Sequence, residues 1–354
     1  MTSLSLALLG LTLAADPLAP DTVLVKALPG PLAADPASAA WDGLPALEIP
    51  VGVQRSLRLP DRKANAAVDA AKGPRTVKVR AASDGKDLAI VLDWADPTED
   101  RAAGETDQYG DSAALQFPER FGAGQRLPYV GMGDPEQPVV LYLARAGAPD
   151  VSLRQAVAAG FGSTTRADLG AARAAMRFKD GAWRAVFVRP LTAPAHDLAR
   201  GLVPFAVAVW DGGRVERGGN KALSAWKLLR LERLPADAAY AKELAWGRTP
   251  DEQGDLARGK QLVNGSCIAC HRTPERKVAR VGAAPDLSGI GVYSTPAYLR
   301  DSIVAPSAVV VPRKGWFRKD GSGKLLSTMP PYASMPAADV QAMVTYLMTL
   351  GSQP

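Results

Sequence analysis

The feature that most constrains this chain is the pentapeptide Cys267-Ile268-Ala269-Cys270-His271. C-x-x-C-H is the spacing at which two thioether bonds and an adjacent histidine hold a single haem. A zinc site would need further ligands of the right kind. The whole chain has only two cysteines and two histidines, and the other histidine, His196, lies far upstream. The motif therefore predicts one covalent haem c, attached through Cys267 and Cys270, with His271 as an iron ligand.

The same count limits the second iron ligand. With His271 in use only His196 remains, so a second haem cannot be held by two histidines, and the distal ligand of haem c is predicted to be a methionine. The methionines of the chain are Met1, Met132, Met176, Met329, Met335, Met343 and Met348. Because both cysteines are used by the haem, no structural disulfide is expected.

Residues 3–15 (SLSLALLGLTLAA) have the apolar core and small-residue end of a secretory signal. No lysine or arginine precedes them, so a buried N-terminal strand or helix is the alternative interpretation. Covalent haem attachment independently favours an extracytoplasmic location, and we expect the periplasm. No apolar run approaches the roughly 18 residues that a membrane-spanning helix needs, so no transmembrane segment is expected.

The net charge of the chain is +6, and several basic residues lie beside the haem motif: Arg272, Arg276, Lys277 and Arg280. A basic rim near a haem edge would attract an acidic redox partner, whereas the alternative is an ordinary solvated surface. No aromatic interleaving or known motif accompanies the charge, so a nucleic acid is not expected as a partner.

Residues 76–231 alternate apolar and polar side chains, with interruptions at glycine, proline and Asp-Gly turns. This period of two predicts short strands, and no helix-length segments lie regularly between them. The Ala-rich segment 153–176 is the one place where a helix between strands is expected. The predicted strands are 76–82, 87–94, 112–117, 138–144, 183–189, 204–210 and 224–231. We therefore predict an antiparallel β-sandwich.

The pattern changes after residue 235. Residues 249–252 (TPDE) resemble a capping box, and the helix that follows should end at Cys267. A last helix is predicted over residues 337–350, and Gly259 would let these two helices cross closely at Tyr346. The predicted organisation is a signal-like segment (1–15), a sandwich that binds haem b (16–235), a linker (236–250) and an all-α cytochrome c domain (251–354).

The C-terminal region carries several motifs in order: Gly259-Lys260, the C-x-x-C-H, Pro285-Asp286-Leu287-Ser288-Gly289-Ile290-Gly291, Met329-Pro330-Pro331-Tyr332 and Val344-Thr345-Tyr346-Leu347. In these motifs it resembles class I cytochrome c. The resemblance implies that Met329 is the distal iron ligand, with Met335 as the alternative. It also implies that the carbonyl of Pro285 accepts a hydrogen bond from His271 and so orients the imidazole.

The N-terminal region carries a second set of motifs: Trp41-Asp42-Gly43, Val79-Arg80-Ala81-Ala82, Leu92-Asp93-Trp94, Gly110-Asp111-Ser112-Ala113, Gln116-Phe117-Pro118, Gly131-Met132-Gly133, Val209-Trp210-Asp211-Gly212, Asn220-Lys221 and Ser224-Ala225-Trp226. These resemble the haem b subunit of periplasmic molybdenum enzymes of the dimethyl sulfoxide reductase family. In that family a methionine and a lysine hold the iron, and the matching residues here are Met132 and Lys221. The resemblance thus implies one non-covalent haem b.

These observations predict a dihaem electron-transfer subunit of a molybdenum oxidoreductase complex, of the nitrite or nitrate type. Its partners would be an iron-sulfur subunit, a molybdenum catalytic subunit and a soluble or membrane-bound electron carrier, for which the basic rim suits an acidic protein. No catalytic residues are predicted, because the cysteines and His271 are occupied. Two alternatives stay open: a carbohydrate-binding or sensor sandwich fused to a cytochrome c, and a peroxidase with a five-coordinate haem.

Overall fold

The computed structural model describes residues 16–55, 61–71, 74–102, 108–147, 150–193, 196–249, 252–275, 284–311, 313 and 315–351. The signal-like segment 1–15 lies outside the described residues. So do Arg276, Lys277 and Arg280 of the predicted basic rim, and residues 250–251 of the predicted capping box.

The described chain forms a strand-rich N-terminal region followed by a helical region. The strands of the first region are β1 (Thr22–Ala27), β2 (Leu47–Val53), β3 (Arg75–Ser83), β4 (Asp87–Ala95), β5 (Ser112–Pro118), β6 (Val139–Arg145), β7 (Ser152–Ala158), β8 (Thr165–Arg166), β9 (Arg173–Lys179), β10 (Ala182–Pro190), β11 (Leu202–Trp210), β12 (Ala222–Leu223) and β13 (Lys227–Leu231). The helices are α1 (Arg62–Ala70), α2 (Ala238–Leu244), α3 (Leu256–Ser266), α4 (Ile290–Tyr293), α5 (Pro296–Val304) and α6 (Ala337–Thr349), and a short hairpin joins β14 (Phe317–Lys319) to β15 (Leu325–Ser327).

The strands form a two-layered sandwich, as predicted. Their hydrogen-bonded order is β8-β7-β6-β5-β11-β12-β2-β3-β4-β10-β9, and β1 and β13 join the network at β3 and β11. The longest pairing, β4 with β10, sets Trp94 opposite Trp183, and these rings stack with centroids 6.3 Å apart. Apolar residues from both layers fill the core between them.

The central pair of one layer, β5 and β11, is buried on both faces. Inward residues such as Leu115 and Val207 belong to the core of the sandwich, whereas the outward residues Ala114 and Ala208 belong to a second apolar cluster. Alternate residues of a strand point to opposite faces. Ala114 and Ala208 are direct partners across the pair. Their small side chains leave space on the outer face of this layer.

One expectation about secondary structure was wrong. Residues 153–176 form strands β7, β8 and β9 rather than a helix, because β7 pairs with β6 along its whole length and this pairing overrides the helix propensity of alanine. The predicted fold class is confirmed, with two local departures. Strand β1 runs parallel to both β13 and β3, and the helical region contains the short hairpin of β14 and β15. In addition, helix α2 lies within the predicted linker 236–250.

In the helical region, α3 ends at Cys267 and crosses α6 at Gly259, as predicted. A Cβ atom at Gly259 would lie 1.9 Å from the carbonyl oxygen of Ala342 on α6, so only glycine permits this approach. The start of α3 differs from the prediction. Asp255 caps it by accepting the N–H of Arg258.

The helical region packs against the outer face of the sandwich. The backbone N–H of Ala225 donates to the carbonyl of Val292 on α4 (3.2 Å), and a Cβ atom at Gly52 on β2 would lie 3.0 Å from the Val292 side chain. One apolar cluster runs from Ala208 and Trp210 of the sandwich to Cys267 and Met343 of the helical region. Among the described residues, no helix has the length and apolar character needed to cross a membrane.

Candidate functional site

A cavity of about 310 Å³, which we call the helical cavity, lies among the helices of the C-terminal region. Four residues singled out from the sequence line it: Cys267, Cys270, His271 and Met329. Much of the remaining wall is apolar or aromatic, and includes Leu287, Ile290, Tyr293, Tyr298, Leu299, Ile303, Trp316 and Tyr332. The structure therefore brings together around one space the residues predicted to attach and ligate haem c.

The imidazole of His271 is oriented by the backbone. Its Nδ1 lies 2.8 Å from the carbonyl oxygen of Pro285. A carbonyl only accepts, so Nδ1 must carry the proton and Nε2 keeps its lone pair. Burial lowers the pKa of His271, which also favours the neutral ring. A neutral imidazole with a free Nε2 is the form that binds iron.

The two cysteines do not have the properties of a zinc or thioredoxin-like site. Burial raises the pKa of the Cys267 thiol to about 11, whereas reactive C-x-x-C motifs depend on a lowered thiol pKa. In the part of the chain that the structure describes, neither cysteine belongs to a cluster of three or more metal-ligating groups. Both thiols instead face the helical cavity, where a porphyrin edge would meet them.

The two candidate distal methionines are placed differently. Met329 lines the helical cavity together with His271, and its backbone N–H donates to Oγ of Ser327 (3.1 Å). Met335 is half-buried and packs against the apolar cluster, but it is not among the residues that line the cavity. This placement favours Met329 as the partner of His271.

Tyr293 provides a test of whether a large cofactor fits this cavity. The residue is 2% exposed, and its hydroxyl oxygen is buried without a hydrogen-bond partner among the described residues. A buried hydroxyl without a partner is costly. The side chain lines the helical cavity, so a polar substituent on the bound group, such as a haem propionate, would satisfy it.

A second cavity of about 350 Å³, the sandwich cavity, lies on the outer face of the layer that contains β5 and β11. Small residues of neighbouring strands, Ala114, Ala156 and Ala208, form part of its floor. The turns at its edge contribute Met132 and Lys221. The two residues assigned to haem b by resemblance, which are distant in the sequence, are thus brought to one cavity. Its volume falls in the range of cofactor sites, roughly 300–1,000 Å³.

Met132 has a backbone conformation that a methionine rarely adopts. Its φ is +93°, and the next residue, Gly133, also has a positive φ of +73°. The turn is held by two backbone hydrogen bonds, from Gly133 N–H to the Tyr129 carbonyl (2.8 Å) and from Gly160 N–H to the Met132 carbonyl (2.9 Å). Such strained residues cost about 1–3 kcal/mol and cluster at ligand clamps. The conformation is an independent sign that Met132 is held in place for a function.

Lys221 is buried, with 3% of its surface exposed. Burial alone lowers its pKa to about 8, and no described carboxylate forms an ion pair with its Nζ, which lies 5.7 Å from the centre of the Trp210 ring. A half-buried lysine, Lys227, is by contrast paired with Asp21. A lysine binds iron only as the neutral amine, so burial and the metal must together displace its proton. The donor set of a thioether and a neutral amine therefore fits a haem iron.

Two exposed arginines on adjacent strands, Arg145 on β6 and Arg154 on β7, line the edge of the sandwich cavity. Neither forms an ion pair with a described residue, so both are available to carboxylates of a bound group. The sequence alone does not single them out, because charged residues on strands are usually solvated. Only the position of the cavity distinguishes these two arginines from the others.

The function of Asp111 is also not apparent from the sequence. Its side chain stabilises the turns beside the sandwich cavity through hydrogen bonds. Its carboxylate accepts hydrogen bonds from the backbone N–H groups of Gly212 and Asp100 and from Nε1 of Trp183, each at 2.8 Å. Two motifs quoted from the sequence, at residues 110–113 and 209–212, thus meet at one side chain. Asp111 lies with Asp96 and Asp211 in a buried carboxylate cluster. Burial, followed by the negative charge of Asp111, raises the pKa of Asp96 to about 7.

His196 takes no part in either cavity. It is buried, with Nδ1 2.8 Å from a guanidinium nitrogen of Arg189 and Nε2 2.9 Å from the carbonyl of Pro118. Burial and the charge of Arg189 lower its pKa to about 4. Both ring nitrogens are used in holding the core, so His196 serves the structure of the sandwich.

Comparisons with known proteins match the two regions separately. Residues 38–172 match the family described as ethylbenzene dehydrogenase, and residues 256–351 match cytochrome c. The chain is 30% identical over 221 residues to the chlorate reductase subunit gamma of Ideonella dechloratans, covering 61% of this chain and 87% of that one.

Two further relatives are similar over parts of their length. The putative respiratory nitrate reductase heme subunit ORF7 of Haloferax mediterranei is 32% identical over 195 residues, which are 54% of this chain and 66% of the relative. The dimethylsulfide dehydrogenase subunit gamma of Rhodovulum sulfidophilum is 30% identical over 164 residues, which are 43% of this chain and 59% of the relative.

Proposed function

Because this chain belongs to the ethylbenzene dehydrogenase family of γ subunits and carries a cytochrome c domain as well, we propose that it is the dihaem electron-transfer subunit of a periplasmic molybdenum oxidoreductase complex. In this proposal the sandwich cavity holds haem b through Met132 and Lys221. The helical cavity holds haem c through Cys267, Cys270 and the iron ligands His271 and Met329.

One observation carries the proposal: two of the cavities formed by the described residues, in adjoining regions, are each lined by two residues that could ligate a haem iron. Met132 and Lys221 line the sandwich cavity, and His271 and Met329 line the helical cavity. Two ligands from the protein leave no open coordination position for a substrate. This donor arrangement suits electron transfer and argues against a peroxidase, which needs a five-coordinate iron.

When bound, the two haems supply one-electron chemistry. The protein supplies ligands, orientation and exclusion of water. Burial lowers the pKa of Lys221 to about 8 and so reduces the cost of losing its proton to a bound iron, and the Pro285 carbonyl holds the His271 ring in the tautomer that binds iron. The alanines of β5 and β11 make room for a flat group against the sheet.

Two relatives are named as γ subunits, which supports a complex of several subunits. We propose an iron-sulfur subunit and a molybdenum catalytic subunit on one side and an external carrier on the other. The relative from Haloferax mediterranei is described as a putative respiratory nitrate reductase heme subunit, which supports a complex of the nitrite or nitrate type. Arg272, next to the haem attachment motif, has a side chain that is 41% exposed. Its Nε forms only a long ion pair, 3.9 Å from Oδ2 of Asp286. It is available to an acidic carrier.

Acid-acetone extraction followed by a pyridine haemochrome assay tests the two-haem content. We expect half of the haem to be extracted as haem b and the other half to remain on the polypeptide. If all haem remained covalently attached, the haem b site and the γ-subunit function would be refuted, and a binding or sensor module with a cytochrome c would be the better interpretation.

Purification from the native source tests the partners. We expect the chain to co-elute with molybdenum and with iron in excess of its own haem iron, and to donate electrons to the complex or receive them from it. A chain that elutes alone, with two haems and no molybdenum, would contradict the proposed complex while leaving the haem assignment intact.

A further inference from the structure

Three aromatic rings connect the two cavities. Phe161, on the turn after β7, lines the sandwich cavity, and Tyr298, on α5, lines the helical cavity. Tyr129 also lines the helical cavity and packs against both rings, with its ring centroid 5.9 Å from that of Phe161 and 5.9 Å from that of Tyr298. Both distances fall within the range of directly packed aromatic pairs, about 4.5–7 Å. The rings form a continuous contact from one cavity to the other.

The central ring is held firmly. Tyr129 is 5% exposed, and its backbone N–H donates to the carboxylate of Asp134 (3.1 Å), which is paired with Arg126 (2.6 Å). The ring folds back over Gly131, where a Cβ atom would lie 2.6 Å from Cε1 of Tyr129. Gly131 is therefore needed for the position of this ring.

The same turns carry a candidate ligand and two of the rings. Tyr129 and Met132 share one turn, closed by the hydrogen bond from Gly133 N–H to the Tyr129 carbonyl. Gly160, which precedes Phe161, donates its N–H to the carbonyl of Met132. The backbone thus fixes the strained Met132 and the first two rings relative to one another.

We propose that Phe161, Tyr129 and Tyr298 form the route by which electrons pass between the two cavities. This inference rests on the proposed function. One electron moves at a time, no bond forms or breaks, and no proton needs to move, because the rings serve as a packed medium and are not themselves oxidised or reduced. The electron lost by one haem iron is the electron gained by the other.

The ordinary interpretation of such a cluster is that it stabilises the contact between the sandwich and the helical region. The two interpretations differ in one respect. A contact that only stabilises the protein is detected in the free energy of unfolding, whereas a medium for electron transfer is detected in the transfer rate, so only the latter predicts a slower rate in variants that stay folded with unchanged haem potentials.

Pulse radiolysis of the two-haem protein measures this rate directly, as the re-equilibration between the haem b and haem c absorption bands after rapid reduction. In Tyr129→Leu we expect the rate to fall by about tenfold or more, because a step that depends on precise positioning is sensitive to the loss of a positioned group. Tyr129→Phe keeps the ring and should keep the rate. Phe178→Leu is the matched control, since Phe178 packs on Trp183 (5.4 Å between centroids) outside both cavities.

A further variant decides the question if Tyr129→Leu fails to fold. Phe161→Leu changes a half-buried residue and removes the contact with the Tyr129 ring. It should slow the re-equilibration in protein that retains both haems, and a redox titration corrects the rate for any change in driving force.

Transfer at the wild-type rate in folded Leu variants that retain two haems would overturn the route. A failure of the proposed function would give a different result. Acid-acetone extraction of the wild-type protein would then yield no haem b, and this would be known before any transfer rate is measured.

Discussion

The two cavities are built in opposite ways. In the helical cavity, three of the four residues that would hold the cofactor lie within a single pentapeptide at the end of α3, and the fourth comes from the segment before α6. In the sandwich cavity, both candidate ligands lie on turns, and the strands that separate them must first assemble into a sheet. A covalent attachment motif makes a site local in the sequence, whereas a non-covalent site depends on the tertiary structure.

The cavities also differ in the free energy needed to hold their candidate ligands in place. His271 does not have a positive φ, and the Pro285 carbonyl accepts a hydrogen bond that orients its ring. The sandwich cavity instead contains a methionine with φ of +93° and a buried lysine without a carboxylate partner among the described residues. Both features are unfavourable in the absence of a ligand. The sandwich cavity should therefore depend on its two iron ligands for occupancy. The helical cavity would hold its cofactor through Cys267 and Cys270, so it should depend on its iron ligands only for coordination.

The largest expected effect is the loss of a whole cofactor. Lys221→Met keeps an apolar chain of similar size but removes the amine, so we expect the extractable haem to fall to nearly zero while the covalent haem is unchanged. Acid-acetone extraction and pyridine haemochrome spectra measure both quantities.

Lys227→Met is the matched control, because Lys227 is a half-buried lysine of the same region that is already paired with Asp21. This variant should lose some stability and retain both haems. Full haem b content in Lys221→Met would show that the lysine is not an iron ligand.

In the helical cavity the corresponding substitution should alter coordination only. Met329→Ala removes the thioether opposite His271, so the covalent haem should stay in full amount but lose its low-spin, six-coordinate spectrum. Met335→Ala should leave that spectrum unchanged, since Met335 packs beside the cavity without lining it. The reverse result, with Met335→Ala changing the spectrum and Met329→Ala preserving it, would assign the ligand to Met335.

Features that depend only on neighbouring residues in the sequence are the ones that the sequence predicts well. The C-x-x-C-H motif is contiguous, and the alternation in strands such as Asp87–Ala95 and Ala182–Pro190 reflects their own burial, so the haem c motif and the strand positions were predicted from the residues themselves. The close crossing at Gly259 was predicted from a single glycine in a helical pattern. In each of these cases the physical cause lies within a short stretch of chain.

The missed features depend on contacts between distant segments. The Ala-rich segment 153–176 forms strands because β6 offers it a partner, and the parallel pairing of β1 depends on β3 and β13. Nothing local to Lys221 indicates burial, so the prediction of this site came from resemblance alone. Tyr129 and Phe161 were missed because each is an ordinary aromatic residue until the fold places their rings in contact.

A smaller difference between the two regions should appear in the pH dependence of stability. Burial and the neighbouring Asp111 raise the pKa of Asp96 from 3.8 to about 7, against a weaker opposing effect of Arg75. Between these values the folded chain binds more protons than the unfolded chain, so the free energy of unfolding of the sandwich falls as the pH rises from about 4 to 7, by an amount on the order of a few kcal/mol.

Asp96→Asn should remove this contribution and make the sandwich more stable than the wild type at pH 8. Because His196, with its pKa lowered to about 4, contributes the opposite slope below about pH 6.5, the informative quantity is the difference between variant and wild type. Urea unfolding followed by tryptophan fluorescence measures it. Parallel curves for the two proteins would show that Asp96 is ionised in the folded state throughout this range.

The smallest predicted effect concerns the backbone at Met132. Alanine and glycine both remove the thioether, so Met132→Ala and Met132→Gly should each lose haem b. Only glycine adopts φ of +93° without strain, so in the haem b-free proteins Met132→Gly should exceed Met132→Ala in unfolding free energy by about 1 kcal/mol. Equal stability of the two variants would mean that the turn relaxes when the side chain is removed. At Met329, where no positive φ is found, the same pair of substitutions should show no advantage for glycine, because glycine there only adds flexibility to the unfolded chain.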